Sequence, residues 1–213
     1  MKRKVITALL AATMVASLAV GCGNKGGDSS SDSSKSSSSS SSSDEITIGF
    51  SQVGAESDWR TANSESMKST FSEKNGYKLI FDDAQQKQEN QITAIRNFIQ
   101  QDVDYIVLAP VTETGWDTVL KEAKDADIPV IIVDRMIDVS DDSLYTAWVG
   151  SNFKMEGQKA CEWLNAYAEA KGMKEVNIAH IQGTIGASAQ IGRTEGLEAA
   201  AKEYGWNIVA QQT

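Results

Sequence analysis

The sequence has few of the residues that enzymes use for covalent and acid–base chemistry. Among its 213 residues are two cysteines, Cys22 and Cys161, and one histidine, His180. No disulfide framework can therefore form downstream of residue 22. Cys161 lies in a helical stretch and is expected to be a small buried apolar residue. His180 lies inside an apolar run and is expected to be a hydrogen-bonded histidine of the core or of a strand end, which leaves no Ser–His–Asp triad or Cys–His pair.

Positive charge is also scarce. The chain has 20 Lys and Arg against 29 Asp and Glu, for a net charge of −9, which argues against nucleic acid as a partner. Metal-ligand spacing is absent, and the glycine-rich turn at 183–188 lacks the lysine of a phosphate-binding loop. Acidic residues are plentiful, but their spacing singles out no catalytic pair. The composition favours a binding protein without metal or cofactor over an enzyme.

The N-terminus is typical of a secretory signal. A basic segment, Lys2 to Lys4, precedes an uncharged apolar run at 5–20. The sequence Ala-Val-Gly-Cys at 19–22 resembles the lipobox of bacterial lipoproteins, in which the cysteine is acylated and becomes the mature N-terminus. We therefore interpret residues 1–22 as a lipoprotein signal peptide and Cys22 as the lipidation site. The alternative is an ordinary secretory signal in which Cys22 is incidental.

Residues 23–44 have no apolar surface to bury. They are rich in Ser, Gly, Asp and Lys, and 29–43 is serine almost throughout. Such a segment behaves as a flexible coil. Behind a lipidated cysteine it is expected to tether a folded domain to the outer face of the cell membrane.

From residue 45 onward, short apolar runs alternate with amphipathic stretches. The runs predict strands at 46–50, 77–81, 104–109, 129–133 and 176–181, an edge strand at 145–149 and a further strand from 206. The stretches between them predict helices at 61–75 (closed by Gly76), 88–101, 116–123, from 152 and 189–204. The run at 129–133 is apolar throughout, as expected for a parallel strand covered on both faces. This alternation predicts doubly wound parallel sheets of the α/β class.

The turn after the first strand has the chemistry of a binding site. Open parallel sheets bind ligands beyond the carboxyl ends of their strands, where the sequence places Trp59 and Arg60. An indole offers an apolar platform to a sugar ring, and a guanidinium offers a rigid fork of donors to its hydroxyls. The structural alternative is that Trp59 packs in the core and Arg60 is solvated. Asp134, Arg135 and Arg193 stand at or near other strand ends.

A set of motifs in fixed order strengthens this interpretation. They are Gly-Phe-Ser-Gln-Val-Gly at 49–54, Ser-Asp-Trp-Arg at 57–60, Asp-Ala-Gln-Gln-Lys-Gln-Glu-Asn-Gln at 83–91, Ala-Pro-Val at 109–111, Gly-Trp at 115–116, Ile-Val-Asp-Arg at 132–135 and Gln-Gly-Thr at 182–184 with Arg193. With the lipobox and the tether, the chain resembles a type I sugar-binding protein of an ABC importer, most closely the galactofuranose-binding subgroup.

The resemblance implies two α/β lobes that close over one monosaccharide and then dock on a membrane permease. It implies a first lobe at 45–150, a partial second lobe at 151–213, and a monomer when the chain is complete. The ligand-binding residues implied by the motifs are Glu56, Ser57, Asp58, Trp59, Arg60, Asp134, Arg135 and Arg193. Asp58 stands where the subgroup often has glycine.

The resemblance also implies that part of the second lobe is missing. Later strands of the family's second lobe would supply an Asn and an Asp to the ligand, and these residues are absent here. We therefore expect this piece to bind sugar weakly. The apolar side chains of its last strand, Trp206, Ile208 and Val209, are expected to lack neighbours on one side.

Two other functions fit the same motifs less well. A lipoprotein could sense the sugar and pass it to a signalling receptor instead of a permease, and no motif in this chain codes for either docking surface. A carbohydrate-active enzyme would need a general acid and a second carboxylate or nucleophile facing the sugar.

Lipidation of Cys22 makes a direct prediction. Cys22→Ser should release the protein to the medium or leave it unprocessed, because two acyl groups are what hold such a protein stably on a membrane. Fractionation of cells and medium, followed by mass spectrometry of the N-terminus, measures both outcomes. Normal processing with unchanged membrane retention would contradict the assignment.

Overall fold

The computed structural model describes residues 45–213. The predicted signal peptide (1–22), the serine tether (23–44) and the lipidation site at Cys22 lie outside the described residues. No helix within 45–213 has the length and apolar character needed to cross a membrane.

A five-stranded parallel sheet forms the larger part of the fold. Its elements are, in chain order, β1 (Ile46–Gln52), α1 (Asp58–Thr70), β2 (Tyr77–Asp83), α2 (Gln88–Gln100), β3 (Tyr105–Leu108), α3 (Asp117–Asp125), β4 (Val130–Asp134) and β5 (Ala147–Gly150). The spatial order is β2-β1-β3-β4-β5. All pairs are parallel, and the predicted edge strand is confirmed as β5. The strand order reverses beside β1, which leaves a crevice at the carboxyl ends of the strands.

A second, smaller sheet follows β5. Its elements are α4 (Phe153–Ala170), β6 (Asn177–Ile181), α5 (Ser188–Tyr204) and β7 (Asn207–Gln212). The two strands pair in parallel. The predicted α/β class with parallel sheets is confirmed. All described residues belong to one compact unit, and the division into lobes at residue 150 stays a prediction.

Helix α1 differs from its predicted bounds at both ends. It begins at Asp58, three residues before the expected start, because the Ser57 side chain accepts a hydrogen bond from the Arg60 N–H and caps the helix. It ends at Thr70, before the expected end. Gly76, with φ +84°, closes the separate 3-10 turn Glu73–Asn75 instead of α1. Trp59 and Arg60 therefore lie on the first helical turn.

Apolar side chains cover both faces of the larger sheet. Strand β3 shows the alternation: Ile106 and Leu108 pack with α2 and α3 on one face, and Val107 packs with Phe50 of β1 on the other. The α3 residues predicted to form one apolar face, including Leu120, are buried. The core therefore holds the strand ends in fixed positions.

The smaller sheet has its own core. Cys161 packs with Leu197 and Trp206, so the prediction of a buried Cys161 is confirmed. The expectation that Trp206 lacks neighbours on one side is wrong, because the residue is buried beside Tyr204, with ring centroids 5.1 Å apart. Val209, for which the same was expected, is 64% exposed.

His180 lies near a strand end as predicted, but one of its ring nitrogens departs from the predicted hydrogen bonding. It lies on β6, half-buried, and its Nδ1 is enclosed without a hydrogen-bond partner among residues 45–213. The ring borders a groove between β6 and helices α4 and α5 that is lined mainly by apolar side chains such as Leu164 and Leu197. The expectation of a hydrogen-bonded histidine is wrong for this nitrogen.

Helices α4 and α5 cross at very short range because glycines form the contact. A Cβ added at Gly196 would lie 2.9 Å from the Gln158 nitrogen and from the Lys154 oxygen, and one added at Gly157 would lie 2.8 Å from the Arg193 oxygen. These are backbone atoms, which cannot move aside like a side chain. The crossing fixes α4 and α5 against each other.

This crossing predicts the sign of a stability change. Gly→Ala inside a helix is ordinarily stabilising by about 0.5–1 kcal/mol. Gly196→Ala should instead lower the free energy of unfolding by about 1–3 kcal/mol, since the added methyl overpacks the crossing. Urea denaturation measures this free energy. The control is Ala199→Gly on the exposed face of the same helix, which reports only the difference in helix propensity between alanine and glycine. A Gly196→Ala variant more stable than the parent would show that the crossing tolerates a methyl group.

Candidate functional site

A polar cleft lies at the carboxyl ends of β1 and β4, between the two sheets. Its volume is about 350 Å³, within the range of small-molecule sites. The predicted residues that line it are Glu56, Ser57, Trp59, Arg60, Asp134, Arg135 and Arg193. Asp58 does not line it. That residue is exposed in the first turn of α1, where a negative charge suits the helix dipole.

Arg60 is the most enclosed charged group of the cleft. The residue is only 3% exposed, so the structural alternative of a solvated arginine is wrong. Nε donates to Glu56 Oε1 (3.3 Å), Nη1 to Gln52 Oε1 (3.1 Å) and Nη2 to Asp134 Oδ2 (3.0 Å). Acceptors from β1, from the loop before α1 and from β4 thus hold one guanidinium.

Trp59 is exposed at the mouth of the cleft. It is 56% exposed, so the alternative that it packs in the core is also wrong. The Arg60 guanidinium carbon lies 4.8 Å from the centroid of its ring. This cation–π contact fixes the indole from one side, and an exposed apolar ring surface remains for a ligand.

Asp134 and Arg135 both line the cleft without pairing with each other. Asp134 has φ +64°, a left-handed conformation that Asp tolerates better than most residues, and its carboxylate accepts from Arg60. Arg135 Nη1 donates to the Val111 carbonyl at 3.1 Å. The alternative of a structural Asp134–Arg135 pair is therefore wrong.

Arg135 has no carboxylate within ion-pair distance among residues 45–213. Burial lowers the pKa of its guanidinium, and the nearby positive charge of Arg60 lowers it further, while Asp134 and Glu56 oppose the shift. Arginine stays protonated all the same. Arg135 is thus a partly buried cation whose remaining donors lack a charged partner within the described residues.

Arg193 closes the cleft from the smaller sheet. Its Nε and Nη2 both donate to Glu156 Oε2, at 3.1 and 2.8 Å. The guanidinium carbon lies 4.9 Å from the Phe153 ring centroid. Arg193 thus extends from α5 and is held by Glu156 and Phe153 of α4.

Sequence reasoning missed part of the lining. The missed residues are Ser151, Phe153, Glu156 and Ala189. They come from α4, α5 and the segment before α4, and no motif links an acidic residue of one helix to an arginine 37 positions later. The only sequence feature that weakly indicates Glu156 as a lining residue is the amphipathic pattern of α4, in which Glu156 follows the buried Phe153 by three positions.

The formal charges of the cleft cancel. Three arginines, Arg60, Arg135 and Arg193, face three acids, Glu56, Asp134 and Glu156. An ion would disturb this balance, whereas a neutral ligand with many hydroxyls could use both donors and acceptors. No histidine or cysteine lines the cleft, and no cluster within residues 45–213 could hold a metal ion.

Parallel sheets whose strand ends meet a polar, charge-balanced cleft define an α/β ligand-binding protein. The chain belongs to the periplasmic binding protein family: a family profile described as "Periplasmic binding protein domain" matches residues 48–213. It is 51% identical over 157 residues to the galactofuranose-binding protein YtfQ of Escherichia coli (strain K12), in an alignment that covers 74% of this chain and 48% of YtfQ. The chain spans about half the length of the curated relatives it matches.

Two solved structures show the same architecture. One, from Mycobacterium smegmatis in complex with β-D-fucofuranose, has a TM-score of 0.74 at 48% identity, over 79% of this chain and 55% of that one. The other is the binding component of the arabinose ABC transporter from Shewanella sp. ANA-3, bound to α- and β-L-arabinofuranose. Its TM-score is 0.73 at 51% identity, over 79% of this chain and 54% of that one. Together with YtfQ these relatives are named as binding proteins or sugar complexes, which confirms the prediction of a binding protein rather than an enzyme.

The enclosure of Arg60 predicts a stability change. Asp134→Asn should lower the free energy of unfolding by about 1–3 kcal/mol, because a buried guanidinium loses its charged acceptor. Asn suits the left-handed backbone, so the change isolates the charge. The control is Glu122→Gln, which removes the charge from an exposed ion pair with Arg96. In urea denaturation it should lower the free energy of unfolding much less than Asp134→Asn does. Equal losses in the two variants would show that the Arg60 pair behaves as a surface ion pair.

Proposed function

We propose that this protein captures a neutral monosaccharide in the cleft between its two sheets and delivers it to an ABC permease. The observation that carries the proposal is the pairing of an exposed indole, Trp59, with three guanidinium groups whose charge is balanced by three carboxylates. Such a lining offers an apolar platform together with donors and acceptors in equal measure. These are the contacts that a sugar ring requires.

The donors left free in the cleft support this ligand class. Arg135 uses one nitrogen on a backbone carbonyl and has no ion pair within residues 45–213. Burying donors without partners is unfavourable by about 1–3 kcal/mol, so sugar hydroxyls that accept from Arg135 would stabilise the closed cleft. Asp134 and Glu56 supply nearby acceptors for hydroxyl hydrogens.

The relatives support a sugar with a five-membered ring. The two solved structures are named with fucofuranose and arabinofuranose, and the curated relative with galactofuranose. Most residues that line the cleft here lie in the motifs on which the family resemblance rests. We therefore assign Glu56, Ser57, Trp59, Arg60, Asp134, Arg135 and Arg193 to ligand binding. Asp58 is not assigned to ligand binding, because its role is to stabilise the first turn of α1.

Location and delivery follow from the N-terminal sequence and the family. Cys22 would anchor the protein to the outer face of the cell membrane, and the serine tether would let the folded part reach a permease. A monomer with a single cleft is sufficient for this task, so we propose a monomer. A sensing role would use the same cleft and differ only in the docking partner.

Arg135 offers the sharpest test of the cleft. Arg135→Ala should weaken the binding of L-arabinose or D-galactose by roughly ten- to a hundredfold, because charge-assisted hydrogen bonds contribute about 1.5–3 kcal/mol. Titration calorimetry on folded protein, with the fold checked by circular dichroism, measures the effect.

The control for this test is Arg96→Ala. Arg96 is an exposed arginine paired with Glu122 outside the cleft, so affinity should not change. Galactose 6-phosphate serves as an anionic comparator, because its free anomeric carbon leaves both ring forms accessible, and it should bind more weakly than the free sugar. Undiminished sugar affinity in Arg135→Ala, or a preference for the phosphate, would refute the assignment of the cleft.

A further inference from the structure

Gln52, the last residue of β1, is a buried amide with all of its hydrogen bonds made. It is 0% exposed. Oε1 accepts from Arg60 Nη1 (3.1 Å) and from the Val53 N–H (3.0 Å). Nε2 donates to Asn63 Oδ1 (2.7 Å) and to Ser64 Oγ (3.1 Å). An amide turned over would place its NH₂ against two other donors, so the network fixes its orientation.

Gln52 does not line the cleft, yet it touches the most enclosed group that does. Arg60 has five N–H donors, and Glu56, Gln52 and Asp134 accept three of them. One N–H on Nη1 and one on Nη2 remain. Their direction depends on the acceptors that hold the guanidinium plane, and of these three acceptors Gln52 alone is fully buried.

We propose that Gln52 is a positioning residue for ligand binding: it sets the plane of the Arg60 guanidinium and so the direction of the two N–H groups left for a ligand. The proposal rests on the proposed function of the cleft. Glutamine suits this role because one end of its amide accepts from an arginine while the other donates to α1. A methionine has the length of glutamine without the amide. It can therefore fill the space but cannot link Arg60 to helix α1 by hydrogen bonds.

A second buried glutamine shows a similar arrangement. Gln91, on α2, is also 0% exposed. Its Nε2 donates to the Ala109 carbonyl (2.7 Å) and its Oε1 accepts from the Val111 N–H (2.8 Å), and the Val111 carbonyl accepts from Arg135. Gln91 does not touch Arg60, which makes it the matched control for effects on that guanidinium.

The competing explanation is structural. Gln52 joins the end of β1 to Asn63 and Ser64 on α1, and its removal could simply loosen the helix. Gln52→Glu and Asn63→Ala separate the two roles. Gln52→Glu keeps the acceptor for Arg60 but loses the donors to α1, and Asn63→Ala removes a partner on α1 alone.

The first experiment is a set of sugar titrations with L-arabinose and D-galactose. Gln52→Met should weaken binding at least ~10-fold, while Gln52→Glu and Asn63→Ala should stay within ~3-fold of the parent. In a protein that already carries Arg60→Lys, Gln52→Met should weaken sugar binding by less than a further ~2-fold, because the ammonium group of lysine has no plane to orient. Equal losses in both backgrounds, or in Asn63→Ala, would overturn the proposal in favour of a structural clamp.

The second experiment needs no ligand. NMR of the ¹⁵N-labelled arginine side chains reports rotation about the Nε–Cζ bond of Arg60, which should be slow in the parent and in Gln91→Met and faster in Gln52→Met. Unchanged Arg60 rotation in Gln52→Met would overturn the proposal. If the parent binds neither sugar even at millimolar concentrations, where weak binding is detected, the function proposed for the cleft fails, while this measurement still decides the role of Gln52.

Discussion

The charge on Arg60 is the constraint to which the cleft conforms. A guanidinium stays protonated at any physiological pH, and burying it without acceptors is costly. The fold places one acceptor at the end of β1, one before α1 and one at the end of β4. The hydrogen bonds of Arg60 therefore link the ends of β1 and β4, which are not neighbours in the sheet. The proposed ligand-binding residues surround this link.

The architecture is predictable because its signals are local. The apolar runs are short and separated by helical patterns, and β4 is apolar throughout, as a strand covered on both faces must be. Helix bounds are less predictable, since Ser57 extends α1 by a single side-chain hydrogen bond. The buried neighbours of Trp206 include residues of α4 and α5, which local patterns do not bring together.

Cleft residues are predictable where one strand end carries them. Trp59 and Arg60 follow β1, and Asp134 and Arg135 stand at the end of β4, so the rule for parallel sheets places them at one edge. Glu156 is different, because its partner Arg193 lies on another helix and the pair exists only once both helices have packed. Gln52 belongs to a motif in the sequence, but its role depends on burial and on four hydrogen bonds that no pattern of residue types reveals.

The glycine contact between α4 and α5 would constrain any closure of the proposed cleft. Gly157 of α4 packs directly against the backbone of Arg193, and Glu156, which holds the Arg193 guanidinium, is the residue before it. If the smaller sheet rotates relative to the larger one, the backbones of Phe153, Glu156 and Arg193 move together, because the two helices are in direct backbone contact. The place of the Glu156–Arg193 ion pair along the cleft wall is therefore set by the helix crossing, although the two side chains are half-exposed.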